Sequence, residues 1–243
     1  YSNNFLKMIP KRNALITGAT GAIGFEIAKV LLKQEYNLFI SGTNSIKLSN
    51  NIEYLRNVGL GEVFGTLCDL KHTENVYSLL YAANEKYKIF DVLVNSAGIF
   101  PQKSFLDISD LEINSIFNVN ILSPFIITRE IAKEMKKKNW GRIVNIGSSS
   151  SYSGFSGGSL YCATKHALLG FSRALHEELK HHNIRSFCIS PSSTKSKMGE
   201  DTIGQDYTTF LDASDIAKYV AFAISFDSNI VTEEIFLKRM IVK

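Results

Sequence analysis

The segment from Ser148 to Phe171 carries Tyr161 and Lys165 four residues apart, with Ser148 thirteen residues before the tyrosine. A spacing of four residues places two side chains on the same face of a helix. A phenol beside an ammonium group can exchange a proton with a substrate, because the positive charge stabilises the phenolate. A serine hydroxyl can hydrogen-bond the same reacting oxygen as negative charge develops on it. The spacing therefore predicts proton transfer to or from an oxygen atom.

The expected strength of the lysine effect follows from simple electrostatics. An ordinary phenol has a pKa near 10, and a shift to about 7 requires about 4 kcal/mol. One positive charge at about 4 Å, in an effective dielectric near 20, contributes about 4 kcal/mol. We therefore expect Lys165 alone to supply the shift in the pKa of Tyr161.

A glycine-rich turn follows the first predicted strand, in the segment ALITGATGAIGFEIAKVLL. Gly18, Gly21 and Gly24 allow a tight turn and a close approach of the backbone to a phosphate, which side chains would block. The helix that begins there offers free N–H groups and the positive end of its dipole. This context predicts a dinucleotide site, and the alternative is a plain turn that packs a helix closely on a strand.

The end of the second predicted strand, FISGTNSIKL, bears on the choice of cofactor. An acidic residue there would bind the ribose 2′-hydroxyl and repel a 2′-phosphate. Gly42 occupies that position, and Thr43 and Asn44 offer hydroxyl and amide groups instead. NADP(H) is therefore favoured, although no arginine is present to bind the phosphate and NAD(H) remains possible.

These residues need a scaffold, and the hydrophobic pattern predicts an α/β fold of the Rossmann type. Short apolar runs alternate with amphipathic stretches, as in a doubly wound parallel sheet of about seven strands with helices on both faces. We predict a leader over residues 1–12, a single domain over 13–243 and a mobile substrate loop at about 192–213. The predicted strands are 13–17, 37–41, 62–67, 91–95, 142–147, 185–190 and 233–237. The predicted helices are 22–34, 45–57, 73–88, 118–138, 160–181 and 214–225.

Composition argues against several other classes of protein. The chain has 243 residues and a formal net charge of +4, and its basic residues are scattered except for the run from Lys136 to Lys138. We therefore expect no nucleic-acid partner. Cys68, Cys162 and Cys188 form no metal-binding spacing, so we expect no metal, a reducing cytoplasmic location and cysteines used as apolar filler. No apolar run approaches the length of a membrane span, so no membrane partner is expected.

Six motifs occur in the order and spacing of the short-chain dehydrogenase/reductases, and the chain resembles that family from about Asn13 to about Leu237. They are TGATGAIG, CDL (68–70), NSAG (95–98), NVN (118–120), IGS (146–148) and YCATK (161–165). The resemblance implies that Tyr161 exchanges a proton with the substrate oxygen as hydride moves, and that Ser148 hydrogen-bonds this oxygen. It also implies that Lys165 holds the ribose hydroxyls and that Asn120 holds a water beside the lysine. The alternative, an amphipathic helix with an unrelated tyrosine and lysine, does not account for Ser148 and Asn120.

The resemblance also implies a set of cofactor-binding residues. Asp69 resembles the residue that meets the adenine amino group, and the NSAG segment resembles one that shapes the cofactor cleft. The full predicted set is Gly18, Thr20, Gly21, Ile23, Gly24, Thr43, Asn44, Asp69, Leu70, Asn95, Ala97, Gly98, Tyr161, Lys165, Pro191 and Ser192.

The sequence departs from the family pattern at three places that the resemblance puts around the cofactor and the substrate. The glycine order is TGxxGxxG rather than TGxxxGxG, as in the larger epimerase and dehydratase branch. Ser192 and Ser196 stand where the family has a glycine and a threonine. The usual Gly-Gly near the end of the chain is absent, and the sequence reads EEIFLKRMIVK.

The predicted function is NADP(H)-dependent hydride transfer that interconverts a ketone and a secondary alcohol. The nearest pattern is that of 3-oxoacyl-acyl-carrier-protein reductases, so a 3-oxoacyl thioester and an acyl carrier protein are possible partners. The positions of the arginines that dock the carrier hold Asn139 and His182 here, which weakens that reading. The alternatives are a non-redox epimerase or dehydratase acting on a sugar-linked substrate, and a cofactor-sensing binding protein. A homodimer or homotetramer is expected to form through the helices at 118–138 and 160–181.

Overall fold

A single parallel sheet organises the computed structural model, which describes residues 11–200 and 204–241. Its seven strands run in the order β3-β2-β1-β4-β5-β6-β7, and every neighbouring pair is parallel. The predicted Rossmann-type fold is confirmed, and each strand lies within two residues of its predicted bounds. The strands are β1 (Asn13–Thr17), β2 (Asn37–Gly42), β3 (Val63–Leu67), β4 (Val92–Asn95), β5 (Gly141–Ile146), β6 (Ile184–Pro191) and β7 (Glu234–Leu237).

Helices cover both faces of the sheet, as the crossovers between parallel strands require. Successive residues of β1 point to opposite faces, so Ala14 and Ile16 belong to one apolar core and Leu15 belongs to the other. Both β5 and β6 are buried along their whole length, as strands covered on both faces are, and this includes the side chains of Arg142 and Arg185. The helices are α1 (Ala22–Lys33), α2 (Ser45–Val58), α3 (Thr73–Lys86), α4 (Asp110–Phe117), α5 (Ser123–Lys138), α6 (Ser159–Leu179), α7 (Lys197–Glu200) and α8 (Ala213–Ile224).

The helical segment before β5 is longer than predicted. It begins with α4, where Ser109 and Glu112 form a reciprocal capping box, and it passes through a π-helical turn at Asn118–Leu122 into α5. By length and composition the stretch Asp110–Lys138 could cross a membrane, contrary to the expectation from the sequence, and 44% of its most apolar window is buried in the fold. Ile127 and Met135 pack fully buried in one of the two cores, so the fold uses this segment as a core helix.

The topological switch point of the sheet lies beside β1. From β1 the chain first adds β2 and β3 on one side, and then crosses to add β4 and the later strands on the other side. The loops that leave the carboxyl ends of β1 and β4 diverge there, which leaves a crevice at this edge of the sheet. The glycine turn follows β1 and the NSAG segment follows from the end of β4. The topology therefore brings together the motifs that the sequence singles out.

Some predicted boundaries involve residues that the structure does not describe. Residues 1–10 of the predicted leader lie outside it, while Arg12 stacks on the Trp140 ring at 3.9 Å and pairs with Asp227 at 3.2 Å. In the predicted substrate loop, residues 201–203 lie outside the described part. The rest contains α7 and a bridge between Thr194 and Leu211. The mobility of this loop stays a prediction.

Candidate active site

Ser148 sits on a short turn directly after β5. It caps a 3-10 turn at Ser149–Ser151, and its Oγ accepts a hydrogen bond from the Ser150 backbone N–H at 3.1 Å. The Ser148 hydroxyl donates to Ser150 Oγ, also at 3.1 Å, and the Ser148 N–H donates to Ser151 Oγ at 3.3 Å. A Cβ on the preceding Gly147 would lie 2.4 Å from Ser190 Oγ, so a larger residue there would have to displace the buried Ser190 side chain. The Ser148 hydroxyl is thus held in place by the turn that it caps.

Tyr161 and Lys165 lie on the first two turns of α6, one turn apart as predicted. The Lys165 ammonium is buried, donates to the Ile146 carbonyl at 2.7 Å and lies 5.5 Å from the centre of the Tyr161 ring. The Tyr161 side chain hydrogen-bonds with Ser148. The structure therefore brings the predicted serine, tyrosine and lysine to one place.

The protonation states differ from the expectation based on the sequence. Burial raises the pKa of Tyr161 above its usual value, and the hydrogen bond with Ser148 offsets part of that rise. Burial lowers the pKa of Lys165 to about 8. The predicted control of the phenol by an ammonium at about 4 Å is not reproduced, because the lysine binds a backbone carbonyl and desolvation dominates. Tyr161 is therefore a protonated phenol at neutral pH, and such a group can donate a proton.

Asn120 lies inside the π-helical turn and is almost fully buried, with 1% of its surface exposed. Its Nδ2 donates to the Ile99 carbonyl at 3.0 Å and to Thr164 Oγ1 at 3.1 Å, and its Oδ1 accepts from the Ile99 N–H at 2.9 Å. The side chain therefore fixes the chain after β4. A Cβ on Gly98 would lie 3.6 Å from Asn120 Oδ1 and 3.7 Å from Lys165 Nζ. The open space beside Gly98 is thus shared by the amide and the ammonium group.

A cleft of about 1380 Å³ opens at the carboxyl ends of the strands. Of the predicted catalytic residues, Ser148, Tyr161 and Lys165 line it, whereas Asn120 lies behind its wall. Every predicted cofactor-binding residue except Asn95 also lines the cleft. These are Gly18, Thr20, Gly21, Ile23, Gly24, Thr43, Asn44, Asp69, Leu70, Ala97, Gly98, Tyr161, Lys165, Pro191 and Ser192.

Asn95 is the predicted cofactor residue that the structure places elsewhere. It is 2% exposed, and its Nδ2 donates to Thr128 Oγ1 at 3.1 Å and to Asn145 Oδ1 at 2.9 Å. As the last residue of β4, it points its side chain along the sheet toward a helix and β5. Its contacts tie β4 to those two elements, so it supports the cleft without lining it.

The exchanged glycine order still gives a tight turn from which side chains are excluded. Gly18 has φ of +67°, and a Cβ on it would lie 2.6 Å from Ala97 Cα. A Cβ on Gly24 would lie 2.6 Å from the Gly18 carbonyl oxygen, so both positions exclude side chains. Gly21 precedes α1, and no side chain caps this helix and no acidic residue lies in its first turn. The N–H groups of that turn are therefore open to an anion, which fits a pyrophosphate.

The far end of the cleft contains a cation that the sequence reasoning missed. Asn44 caps α2 by accepting a hydrogen bond from the Lys47 N–H at 2.8 Å, so its oxygen is already engaged. Lys47 lines the cleft together with Gly42 and Thr43, from the first turn of α2. The signal was present, because an N-capping asparagine three residues before a lysine places that lysine at the mouth of the helix.

The part of the cleft beside Tyr161 carries an aromatic wall that no motif predicts. The Phe100 ring lies 4.7 Å from the Tyr161 ring and 5.8 Å from the Phe155 ring, centre to centre. Phe100 and Phe155 both line the cleft, from two loops far apart in the sequence. Only the fold brings these rings together.

The departures near the end of the chain are explained by contacts. Ser192 donates its N–H to the Leu237 carbonyl at 2.8 Å, and its Oγ accepts from the Arg239 N–H at 3.1 Å. The Arg239 guanidinium donates to Thr209 Oγ1 at 3.0 Å and to Gln205 Oε1 at 2.7 Å. In place of a Gly-Gly segment, the residues after β7 thus hold the end of β6 and the predicted substrate loop together.

Among the described residues, the groups that could ligate a metal meet away from the cleft. Ligand atoms of His176, Glu177 and Glu233 lie within 4.8 Å of one another. His176 Nδ1 already accepts from the Ser186 N–H at 3.4 Å, and Glu177 is exposed. None of the three lines the cleft.

A parallel sheet with a glycine turn before its first helix, and a tyrosine and a lysine facing the same cleft, defines a dinucleotide-dependent oxidoreductase. Residues 12–206 match the family described as short chain dehydrogenase. The chain accordingly belongs to the short-chain dehydrogenase/reductase family, whose enzymes act on CH–OH groups or carbonyls with NAD(P).

Individual relatives agree with this assignment. The chain is 31% identical over 230 residues to 3-oxoacyl-[acyl-carrier-protein] reductase FabG of Rickettsia felis, covering 91% of this chain and 92% of the relative. It is 35% identical over 187 residues to nodulation protein G of Rhizobium meliloti, covering 77% and 75% respectively. Among solved structures, a variant of actinorhodin polyketide ketoreductase with NADPH matches with a TM-score of 0.85 and 28% identity, covering 94% of this chain and 95% of that one.

Proposed function

We propose that this protein is an NADP(H)-dependent carbonyl reductase that interconverts a ketone and a secondary alcohol. The observation that carries the proposal is the meeting of Ser148, Tyr161 and Lys165 in the cleft that begins at the glycine turn. A partly buried phenol and a serine hydroxyl within hydrogen-bond reach of each other can both donate to one carbonyl oxygen. This arrangement suits a reaction in which negative charge develops on that oxygen.

Each residue has a distinct part in the proposed reaction. The bound nicotinamide would supply the hydride. Tyr161 is protonated at neutral pH and gives its proton to the carbonyl oxygen, while Ser148 donates a hydrogen bond to that oxygen. Lys165 stabilises the phenolate that remains, and Asn120 holds the chain beside the lysine. In the reverse direction the phenolate accepts the proton from the alcohol.

The cofactor preference rests on the end of β2. Gly42 removes the acidic residue that would repel a 2′-phosphate, and Lys47 adds a positive charge beside it. Thr43 and the Asn44 amide remain available as donors. The NADPH bound by the polyketide ketoreductase relative, at 28% identity, supports the same choice. NAD(H) is the alternative cofactor, and measuring the Kd of the protein for NADPH and for NADH decides between the two.

The substrate is proposed to be a ketone with an apolar substituent. Phe100 and Phe155 form an apolar wall next to Tyr161, and an acyl or aryl chain would pack against it. The relatives named as 3-oxoacyl-carrier-protein reductase and polyketide ketoreductase make a 3-oxoacyl thioester the first compound to test.

The structure of a single chain gives less support to a substrate that is bound to an acyl carrier protein than to a free one. Asn139 and His182, at the positions of the docking arginines, lie just before β5 and β6 and thus at the sheet edge opposite the cleft. In the nearby lysine run, Lys137 pairs with Glu134 and Lys138 pairs with Asp91. We therefore favour a free thioester or another small ketone over a carrier-bound one.

The test is a panel of ketones, including an acetoacetyl thioester and nucleotide-sugar ketones, assayed with NADPH and NADH for loss of cofactor absorbance. Stoichiometric NADPH consumption with alcohol formation supports the proposal. Product without net cofactor consumption would identify an epimerase or dehydratase, and cofactor binding without product would identify a sensor.

The Tyr161→Phe variant tests the assignment of the proton donor. Because the variant keeps the ring but lacks the hydroxyl, we expect unchanged NADPH affinity and a turnover lower by about 10²–10⁴-fold. Turnover is measured by NADPH absorbance and affinity by cofactor fluorescence. Near-normal turnover in this variant contradicts the assignment.

A further inference from the structure

Ser150 shares the turn of Ser148 and contacts the Ser148 hydroxyl twice. Its backbone N–H donates to Ser148 Oγ at 3.1 Å, and its own Oγ accepts from the Ser148 hydroxyl at 3.1 Å. Ser150 is 5% exposed and lines the cleft. Within residues 11–200 and 204–241, Ser148 is the hydrogen-bond partner found for the Ser150 hydroxyl. The Ser150 hydroxyl can therefore rotate without breaking any other contact.

The direction of this hydrogen bond conflicts with the proposed reaction. Ser148 cannot donate to a substrate oxygen while its single proton points at Ser150. Ser148 Oγ already accepts from the Ser150 N–H, and once its proton turns to the substrate it can accept a second hydrogen bond. The Ser150 Oγ lies 3.1 Å away, so a rotation of the Ser150 side chain would let its hydroxyl supply that bond. Two aligned hydroxyls polarise each other, which strengthens the terminal donor.

We propose that Ser150 is a positioning residue whose hydrogen bond to Ser148 reverses when the reacting oxygen binds, so that a chain runs from Ser150 through Ser148 to that oxygen. This inference rests on the proposed function, in which Ser148 binds the reacting oxygen. Ser151 has a different role in the same turn, because its Oγ accepts from the Ser148 backbone N–H.

The main test is the kcat of Ser150→Ala in ketone reduction. We expect kcat to fall about five-fold, equivalent to about 1 kcal/mol, because Ser148 loses one donor at the stage when its own proton is engaged. KM and the Kd for NADPH are expected to stay unchanged. Ser150→Thr, which keeps a hydroxyl, is expected to restore most of kcat.

A double-mutant cycle separates this role from a structural one. In a Ser148→Ala background the relay has no acceptor, so adding Ser150→Ala should lower kcat no further. The matched control is Ser172→Ala, which removes another buried serine pair, Ser172 Oγ to Ser186 Oγ at 2.9 Å, from farther along α6. We expect this control to lose stability but keep kcat. Additive losses in the cycle, an equal loss in the control, or a normal kcat in Ser150→Ala would each overturn the relay.

A measurement without substrate distinguishes failure of the relay from failure of the proposed function. The phenolate absorbance of Tyr161 is obtained as the difference between a protein and its Tyr161→Phe counterpart over a pH titration. Because the relay lets Ser148 donate to the phenolate, Ser150→Ala should raise the pKa of Tyr161, and Ser172→Ala should not. If the pKa of Tyr161 rises in Ser150→Ala but the unsubstituted enzyme turns over no ketone, the relay is supported and the proposed function is rejected. Normal turnover with no rise would reject the relay alone.

Discussion

The residue with the largest conflict between stability and chemistry is Lys165. Lys165 is 5% exposed, and the hydrogen bond described for its ammonium group goes to the neutral Ile146 carbonyl. A buried charge without a carboxylate partner is costly, and the lowered pKa of about 8 expresses this cost. The site therefore keeps a destabilising group in place for the proposed reaction.

We predict that Lys165→Met stabilises the protein at pH 7 while abolishing turnover. The folded pKa of about 8 lies below the ordinary 10.5, so the folded state binds fewer protons between those pH values and stability rises with pH across that window. At pH 7 the full penalty is present. After about 1 kcal/mol is allowed for the lost hydrogen bond, the variant should gain about 2 kcal/mol of unfolding free energy.

Urea unfolding of both proteins at pH 7 and pH 10 checks this prediction. The advantage of the variant should shrink as the pH rises toward 10, because the wild-type lysine is then neutral in the folded state and begins to lose its charge in the unfolded state. A difference between the two proteins that does not change with pH would rule out a buried charge as its cause.

Lys47 carries a second prediction at this scale. We expect Lys47→Ala to weaken NADPH binding about five- to ten-fold, since an exposed cation facing a phosphate contributes about 1 kcal/mol. NADH, which lacks the 2′-phosphate, should bind equally to both proteins. Titration of cofactor fluorescence at low and high salt measures the effect, with Lys33→Ala, an exposed lysine at the other end of α1, as the control. If Lys47→Ala weakens NADH binding as much as NADPH binding, Lys47 does not contact the 2′-phosphate.

At the residue scale, the sequence predicts side chains whose spacing along one element brings them together. Tyr161 and Lys165 are of this kind, and so are the glycines of the first turn. Ser150 and Phe100 are not, because their contacts depend on the geometry of a turn and on two distant loops. Lys47 was within reach of the sequence, since the capping asparagine three residues before it gave the signal. Asn95 shows the opposite error, since a motif position next to a cleft does not fix which way its side chain points.

At the element scale, the π-helical turn between α4 and α5 explains how Asn120 reaches the site. Such turns insert a residue into a helix and re-aim the side chains around it. The predicted helix at 118–138 has the correct end but misses α4, although Ser109 and Glu112 carried the capping-box signal. The π-helical turn itself could not be predicted, because it depends on the Asn120 contacts with Ile99 and Thr164.

The substitution Asn120→Asp tests whether this turn depends on the amide. The carboxylate cannot donate to the Ile99 carbonyl or to Thr164 Oγ1 as Nδ2 does, and it is buried. We expect a loss of about 3 kcal/mol of unfolding free energy in urea, typical of an unpaired buried charge. Asn118→Asp is the matched control, because Asn118 Nδ2 also donates to a backbone carbonyl, that of Lys71 at 2.8 Å, but the residue is only partly buried. Equal losses in the two variants would show that the turn does not depend on Asn120.

At the scale of the whole molecule, the outer face of α6 has the composition of an interface. Ala163, Ala167, Gly170 and Ala174 are exposed and recur at helical spacing, and a Cβ on Gly170 would meet nothing within 4 Å. Beside this face, Phe125 of α5 stacks on Phe171 at 4.1 Å between ring centres. Small side chains let two helices approach closely, so this face supports the expectation of a homodimer or homotetramer through α5 and α6.

We predict that Ala167→Glu converts the oligomer to a monomer of 27.1 kDa. In a protomer alone the glutamate would be solvated and harmless, whereas in a closely packed pair it would be buried next to its symmetry-related copy, at a cost of several kcal/mol. Light scattering coupled to size exclusion measures the mass, and thermal unfolding verifies that the variant is folded. Asn50→Glu, on the exposed side of α2, adds the same charge far from this face and should keep the oligomer. If the unsubstituted protein is itself a monomer at micromolar concentration, the small residues on α6 face solvent and the expected assembly is wrong.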